Sequence, residues 1–369
     1  MLGWEFPPLF SGGLGVATHG MVRALSNKVS IRLMLPAAAQ ALPVAQVNII
    51  GLDAMHMAAI DEERIHYCLR DFVSELSTIA LHISPYHHIN SLLEKQHEIL
   101  HSDMLTSEKK SKIINAMFAD GEVYGPRIMH KVHLFARLCA VLAEDGDFDV
   151  IHAHDWVTFP AAVLIREKTK KPLVLHVHAL ETDRSSHDTR NEIYTLEKHA
   201  LTQADHIIAV SQFTKDQIVS HYGVPPDKIH VVHNGIDPAD MHRKINTLRH
   251  KIVAFMGRLT AQKGPQFLLE TAEKVSRIYP RVKFVIAGTG DQFAQLLETS
   301  AYKHLSSKII FTGFLPKQKV SELLSMADVY FMPSVSEPFG LTALEAAQHN
   351  VPSVLSIQSG AAEVMHSAL

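Results

Sequence analysis

Short apolar runs rich in Val, Ile and Leu recur along the chain, with longer helical patterns between them. In the first part they fall at Ile31–Leu35, Val47–Gly51, Val150–His154, Leu173–His178, His206–Val210 and Ile229–His233. After a break they resume at Ile252–Met256, Val282–Ala287, Ile309–Thr312, Val329–Met332 and Ser353–Leu355. A run apolar at every position, such as Val253-Ala-Phe-Met256, suits a parallel strand covered by helices on both faces. Repeated βα units of this kind predict doubly wound α/β sheets.

The break supplies the domain organisation. From Asn234-Gly-Ile-Asp-Pro238 to Lys251 the sequence turns polar and loses its periodicity, as an inter-domain connection does. One domain is expected over 1–240 and a second over 250–369, in keeping with a length of 369 residues. The stretch 84–144 shows no strand pattern and reads as a helical insertion, with a helix over Pro126–Leu142. With 35 Lys+Arg against 38 Asp+Glu the net charge is −3, too acidic for a general nucleic-acid binder or a polybasic membrane-surface protein. Cys68 and Cys139 make neither a disulfide framework nor a zinc knuckle, which favours a reducing cytoplasm. The N-terminus lacks the basic and apolar regions of a signal peptide, and no apolar run nears the ~18 residues of a membrane span.

Several strand ends hold residues suited to chemistry. Ser11-Gly-Gly-Leu-Gly15 leads into a helical pattern, where glycines let a ligand approach and a helix N-terminus favours an anion. On its own it is equally an ordinary strand-to-helix turn. His152 and His154 share one face at the end of a strand, and His176 and His178 repeat the arrangement. Ligands of open α/β sheets bind beyond the carboxyl ends of strands, so these imidazoles are candidates for hydrogen bonds to a polar ligand. No carboxylate or thiolate completes a metal-ligand pattern around them, and no metal is expected. His152 and His176 fit the plainer role of satisfied buried histidines.

Gly257-Arg-Leu-Thr-Ala-Gln-Lys-Gly264 follows the first strand of the second domain and sets Arg258 and Lys263 five residues apart. Two such cations can neutralise a diphosphate, with Arg258 forking two oxygens and Lys263 acting as a point charge. A solvated basic turn is the alternative. Ser336-Glu-Pro-Phe-Gly-Leu-Thr-Ala-Leu-Glu345 is more informative, with Glu337 and Glu345 eight residues apart. Gly340, Leu341 and Thr342 open a helix whose unpaired N–H groups suit a phosphate. Glu345 lies about 7.5 Å further along it, placed for ribose hydroxyls. Glu337 precedes the helix, placed for the hydroxyls of a sugar. An exposed acidic helix would not explain Pro-Phe-Gly or the apolar Leu341 and Leu344.

These blocks, in this order, resemble those of retaining GT-B glycosyltransferases. The likeness is to the glycogen/starch-synthase-like members of family 4, and it includes Ala209-Val-Ser211 and Val232-His-Asn-Gly-Ile-Asp237. The resemblance implies two Rossmann-like domains facing a cleft, the acceptor side in 1–240 and the nucleotide-sugar donor side in 250–369. It implies that Arg258 and Lys263 contact the donor diphosphate, that Glu337 holds the donor sugar and that Glu345 binds the ribose. The amides of Gly340, Leu341 and Thr342 would face phosphate, with Gly13 and Gly257 beside it. His154 would bond the transferred sugar, and His178 is a candidate contact to sugar or acceptor. The implied reaction needs no cofactor, metal or protein nucleophile: a donor phosphate oxygen takes the acceptor's proton during front-side attack. ADP-glucose or UDP-glucose is the expected donor, and a glycan or small molecule the acceptor.

Departures accompany the likeness. Phe10 stands where bacterial glycogen synthases carry a lysine, and Met1-Leu2 leaves little of a first strand. The family continues past Ser359-Gly-Ala-Ala-Glu-Val364 with a further βα stretch and a returning helix, so the second domain is expected to be cut short. The competing expectation is accordingly a truncated or inactive sugar-nucleotide-binding protein. A dehydrogenase would need the full Gly-x-Gly-x-x-Gly that both domains lack. A nucleotide-sugar epimerase would convert donor without acceptor.

Overall fold

The computed structural model describes residues 1–8, 12–38, 41–54, 124–125, 127–144, 146–185, 190–238 and 249–365, together with Leu69, Ile114, Met117 and Phe118. The expected strands are all present, their ends within two residues of the sequence reading. They are β1 (Ile31–Leu35), β2 (Val47–Gly51), β3 (Ile151–His154), β4 (Leu173–Val177), β5 (His206–Ala209) and β6 (Ile229–Val231). β7 (Lys251–Met256), β8 (Val282–Ala287), β9 (Ile309–Gly313), β10 (Val329–Met332) and β11 (Ser353–Leu355) follow. Of the expected insertion, the helix Ile128–Glu144 is described, and the remainder falls mainly outside the described residues. Most of the connection before Lys251 and the positions of Phe10, Ser11 and Cys68 are outside them as well.

The chain divides into two compact units. Met1–His176 and Leu196–Ile207 form one; Val177–Thr195 and Ile208–Leu369 form the other. In the first, β1 pairs with β2 and β3 with β4, both in parallel. Leu2 bridges the two pairs. Its N–H donates to the His152 carbonyl at 2.7 Å and its carbonyl accepts from His154 N–H at 3.2 Å, while Gly3 N–H bonds Met34 at 3.0 Å. A three-residue stretch thus fills the slot between β1 and β3, which is why so little sequence pattern marks it. The helix Gly13–Leu25 follows and packs Val22 against Phe6, Ile31, Leu33 and Leu35. The helix Ile128–Glu144 lies along the helix Phe159–Thr169, with Phe135 edge-on to Trp4 at 5.4 Å.

The second unit shows how alternation builds a two-faced sheet. Its order is β11-β10-β7-β8-β9, all parallel, so the chain begins at the centre, winds outward one way, then returns to wind the other. Ile252, Ala254 and Met256 of β7 pack on one face with Tyr330, Leu324, Ala343 and Ala346. Phe255 packs on the opposite face with Leu268, Leu269, Phe284 and Leu296. The helices Pro265–Ile278 and Phe293–Tyr302 cover that second face, while Lys317–Met326 and Leu341–Gln348 cover the first. Helices cover both faces, so the inner strands are mostly apolar, with polar Lys251 and Lys283 near the strand starts.

Because β7 and β10 are neighbours that belong to opposite windings, the loops at their carboxyl ends meet. Gly264, which ends the β7 loop, has φ +62, and a Cβ there would lie 2.3 Å from the Pro333 carbonyl. Gly264→Ala is therefore expected to cost about 1–3 kcal/mol, from left-handed strain and a forced shift of Pro333. Urea unfolding checks this; a loss under 0.5 kcal/mol, roughly the scatter of neutral surface changes, would show that the two loops separate freely.

Candidate functional site

The switch point gathers most of the residues singled out in the second unit. Gly257 follows β7 directly, and its N–H bonds the Ala287 carbonyl at 3.0 Å. Arg258 follows, exposed at the strand end. A turn of 3-10 helix, Ala261–Lys263, brings Lys263 back toward the sheet. Its Nζ reaches Glu337 Oε2 at 2.6 Å, and Ser334 Oγ donates to the same oxygen at 3.0 Å. Glu337 is buried, with only 7% of its side chain exposed against 22% for Lys263, so solvent screens the pair weakly. The β10 loop is also tied through its backbone. Val335 N–H donates to Gln262, and Glu337 exchanges bonds with the opposite loop through Gln358 and Gly360.

Gly340 closes this loop at φ +96 and caps the helix Leu341–Gln348. A Cβ there would press on Met332 Cε at 2.9 Å and Glu337 Cγ at 3.2 Å, so the turn requires glycine. The first N–H groups of the helix point away from its own hydrogen bonds, as helix starts do, and offer donors to an anion. Thr342 is held from below: its Oγ1 lies 2.6 Å from the hydroxyl of Tyr330, which is wholly buried. Burial pushes the Tyr330 hydroxyl well above its usual pKa, so it stays a neutral hydrogen-bonding group. Glu345 sits one turn further along. Burial raises its carboxyl pKa, while Lys317 and His349 act to lower it.

The structure thus brings Lys263 into contact with Glu337 and sets Gly257, Arg258, Gly340, Leu341, Thr342 and Glu345 on the loops and helix of one switch point. His178 lies just past β4, half-buried, in the same unit. His154 and Gly13 belong to the first unit. Gly13 is exposed as the first residue of its helix, whereas His154 is fully buried.

His154 also has neighbours that strand register dictates. It pairs with His176 across β3 and β4, and His152 lies two residues back on the same face. Ring centroids are 4.6 Å apart for His152 and His154 and 5.1 Å for His154 and His176. The trio has a ligand atom from each ring within 4.8 Å of the others, a grouping that the sequence reading left incomplete. The His152 and His176 rings are near parallel, at 6°, with centroids 5.6 Å apart. Burial takes His152 down to about 4.

Sequence reasoning missed several residues that fix this geometry. Ser334 stands three residues before Glu337, a spacing that hints at a local bond. Tyr330 looked like any strand aromatic. Asp183, Ser211 and Thr214 reach the β10 loop from far away in sequence, with no local signal at all.

Comparison with known proteins gives the class. Residues 120–240 match the model for Glycosyltransferase Family 4, and residues 238–368 match Glycosyl transferases group 1. The catalytic domain of starch synthase IV from Arabidopsis thaliana, bound to ADP and acarbose, superposes with TM-score 0.66 at 14% identity, covering 100% of this chain and 84% of that one. Sucrose-phosphate synthase from Thermosynechococcus elongatus gives 0.62 at 16% identity, covering 96% and 78%. The chain has the GT-B glycosyltransferase fold, built from two Rossmann-like parts.

Among curated sequences, a glycosyltransferase of Methanocaldococcus jannaschii without an assigned activity is 32% identical over 59% of this chain and 60% of its own length. A glycogen synthase of Mycobacterium tuberculosis is 30% identical over 59% of this chain and 54% of its own. The match thus spans little more than half the length of these relatives. Among the described residues, no helix is long and apolar enough to cross a membrane.

Two outcomes test the site as built. Removing one charge of a buried pair leaves the other desolvated. Lys263→Met is therefore expected to destabilise by about 1–2 kcal/mol more than the double change Lys263→Met/Glu337→Gln, less than a fully buried pair would show. Equal stabilities in urea would mean that the pair is solvated. The second outcome concerns acid. Folded His152 stays neutral to about pH 4, while its unfolded form takes a proton near 6.5, so stability falls as pH drops between those values. His152→Gln is expected to flatten that fall in urea melts across the interval, and an unchanged slope would assign it to other groups.

Proposed function

We propose that this chain is a retaining glycosyltransferase that moves a sugar, glucose in the first instance, from a nucleotide-sugar donor to a glycan or other acceptor. One observation carries the reading: Lys263 and Glu337 touch at a sheet switch point, immediately before a glycine-capped helix start. That arrangement offers a cation and free N–H groups to a diphosphate, with a carboxylate beside them for sugar hydroxyls. In this reading Arg258 and Lys263 hold the diphosphate, and the amides of Gly340, Leu341 and Thr342 complete its cradle beside Gly257. Glu345 takes the ribose and Glu337 the sugar. His154, Gly13 and His178 are assigned to the sugar and acceptor side, in a domain of residues 1–240 facing the donor domain 250–369.

The charge requirement of the reaction supports these roles. As the glycosidic bond breaks, positive charge develops on the anomeric carbon and negative charge on the leaving diphosphate. Fixed cations and N–H dipoles stabilise that separation without reorganising. A phosphate oxygen of the donor accepts the proton of the incoming hydroxyl on the same face, which gives retention. The residues proposed to meet this charge are all side chains and amides, so the transfer is proposed to be metal-independent. ADP-glucose or UDP-glucose is the proposed donor and α-glucan synthesis one proposed outcome, supported by the likeness to a glycogen synthase. The compartment proposed from its cysteine usage is the cytoplasm.

The test is release of nucleoside diphosphate from a panel of ADP-, UDP- and GDP-sugars, with the anomeric configuration of the product read by NMR. Inversion would overturn retention, and loss with EDTA restored by Mn²⁺ would overturn metal independence. Two substitutions then separate the glutamates. Glu337→Gln is expected to abolish most transfer while nucleoside diphosphate still binds. Glu345→Ala is expected to weaken binding of the free nucleoside diphosphate by about 1–3 kcal/mol, the value of charged hydrogen bonds to the ribose. Parallel effects in both variants would remove the division of roles. Arg258→Ala should lower turnover roughly a hundredfold, as loss of a preorganised electrostatic donor does.

A further inference from the structure

The loop that carries Glu337 is braced by Asp183 and Ser211, to which the transferase reading gives no role. Residues 177–195 and 208–238 share a compact unit with β7–β11. Within that unit Ser336, the residue just before Glu337, donates its hydroxyl to Asp183 Oδ1 at 2.5 Å. The other carboxylate oxygen of Asp183 accepts the Leu180 N–H at 2.8 Å. Asp183 is only 5% exposed. Its carboxylate is therefore fixed at both oxygens, one to its own turn and one to a residue 153 positions away.

A second bond repeats the pattern on the other side of Glu337. Ser211 Oγ donates to the Pro338 carbonyl at 2.6 Å, and is itself set by accepting the Thr214 N–H at 2.9 Å. Glu337 is thus flanked by two residues, Ser336 and Pro338, each tied to a buried side chain of the 177–217 region. Its own carboxylate is occupied on one oxygen by Lys263 and Ser334. With its neighbours fixed and one oxygen engaged, the remaining oxygen has a defined direction. A carboxylate meant to select a sugar by its hydroxyls needs that definition, because an error of about 1 Å in a hydrogen-bonding group removes most of its benefit.

We propose that Asp183, acting through Ser336, is a positioning residue for donor-sugar recognition by Glu337. The inference rests on the transferase reading above and adds a dependence to it: recognition of the sugar, but not of the nucleoside diphosphate, is set by a contact from outside the donor loops. Of the diphosphate partners assigned above, Arg258 and the helix start at Gly340 do not pass through Asp183, and Lys263 meets Glu337 at the carboxylate oxygen that Ser334 also holds, not at the Ser336–Asp183 contact.

The experiment is a double-mutant cycle on the intact chain with Asp183→Asn and Ser336→Ala, and Ser336→Thr as the conservative control. Folding is checked by urea melts. Transfer is read as kcat and KM for the donor identified by the panel, and nucleoside diphosphate Kd by calorimetry. Each single change is expected to lower kcat/KM by about tenfold, the effect of losing one hydrogen bond to a charged acceptor. The double variant should lose no more than the worse single one. Ser336→Thr, which keeps the hydroxyl, should recover most of the activity, and Kd should stay within twofold throughout.

Additive losses, a Kd that weakens in step with kcat/KM, or a Ser336→Ala variant as active as the parent would each overturn the inference while leaving the transferase reading intact. A parent chain that releases nucleoside diphosphate from no donor would overturn both. Asp183→Asn also alters the Leu180 turn, so a melt that shows it unfolded passes the decision to the Ser336 pair. There, loss in Ser336→Ala with recovery in Ser336→Thr supports the inference, and equal activities overturn it.

Discussion

The pairing of β7 with β10 is the constraint on which the donor side depends. Val329 aligns with Val253 and Tyr330 with Ala254, although three βα units separate the strands in sequence. Parallel strands place all their carboxyl ends on one edge, and a reversal of winding leaves a gap between the helices at that edge. Here the gap lies between the loop after Met256 and the loop after Met332. Their closeness forces Gly264 against Pro333 and lets Lys263 meet Glu337. Had β10 added to the far side of β9, Arg258 and Lys263 would be separated from Glu337 by the width of the sheet.

A site assembled this way has charged groups held by several modest contacts rather than one strong one. Glu337 is bonded through one carboxylate oxygen, its N–H and its carbonyl, and its neighbours are tied in turn. Each such bond contributes only on the order of 1 kcal/mol to stability. Together they remove the alternative directions of a side chain that would otherwise rotate freely. The supports come from three places: the loop after β7, the turn at 358–361, and the region around Asp183 and Ser211. Glu363 extends that last connection. Burial works to raise its pKa, but the N–H groups of Gln212 and Phe213 and the ring of His233 outweigh this and hold it low. A helix start, a histidine and the end of the donor loops thus converge on one carboxylate.

The first unit follows the same parallel logic with another outcome. Register places His154 beside His176 and leaves His152 on the same face, so three imidazoles share a buried patch. Burial lowers the pKa of His152 to about 4, so that ring is neutral near pH 7 and suits hydrogen bonding better than holding an anion. The diphosphate-binding character proposed for this chain thus lies with the cations and helix start of the second unit.

The sequence alone determined the strands, because strands packed beneath helices leave short runs rich in apolar and β-branched residues. It also marked Arg258, Lys263, Glu337, Gly340 and Glu345, since glycine at a turn and charge beside a strand end are local features with local causes. It did not reveal Leu2 as the strand between β1 and β3, for a three-residue ladder has no period to detect. It placed His152, His154 and His176 at neighbouring strand ends, but did not reveal the register that sets His154 beside His176, nor that Asp183 and Ser211 brace the Glu337 loop. Those depend on strand order and on contacts between residues more than a hundred positions apart. Local chemistry is written in neighbouring residues, whereas the direction in which a carboxylate points is decided by whatever the folded chain packs around it.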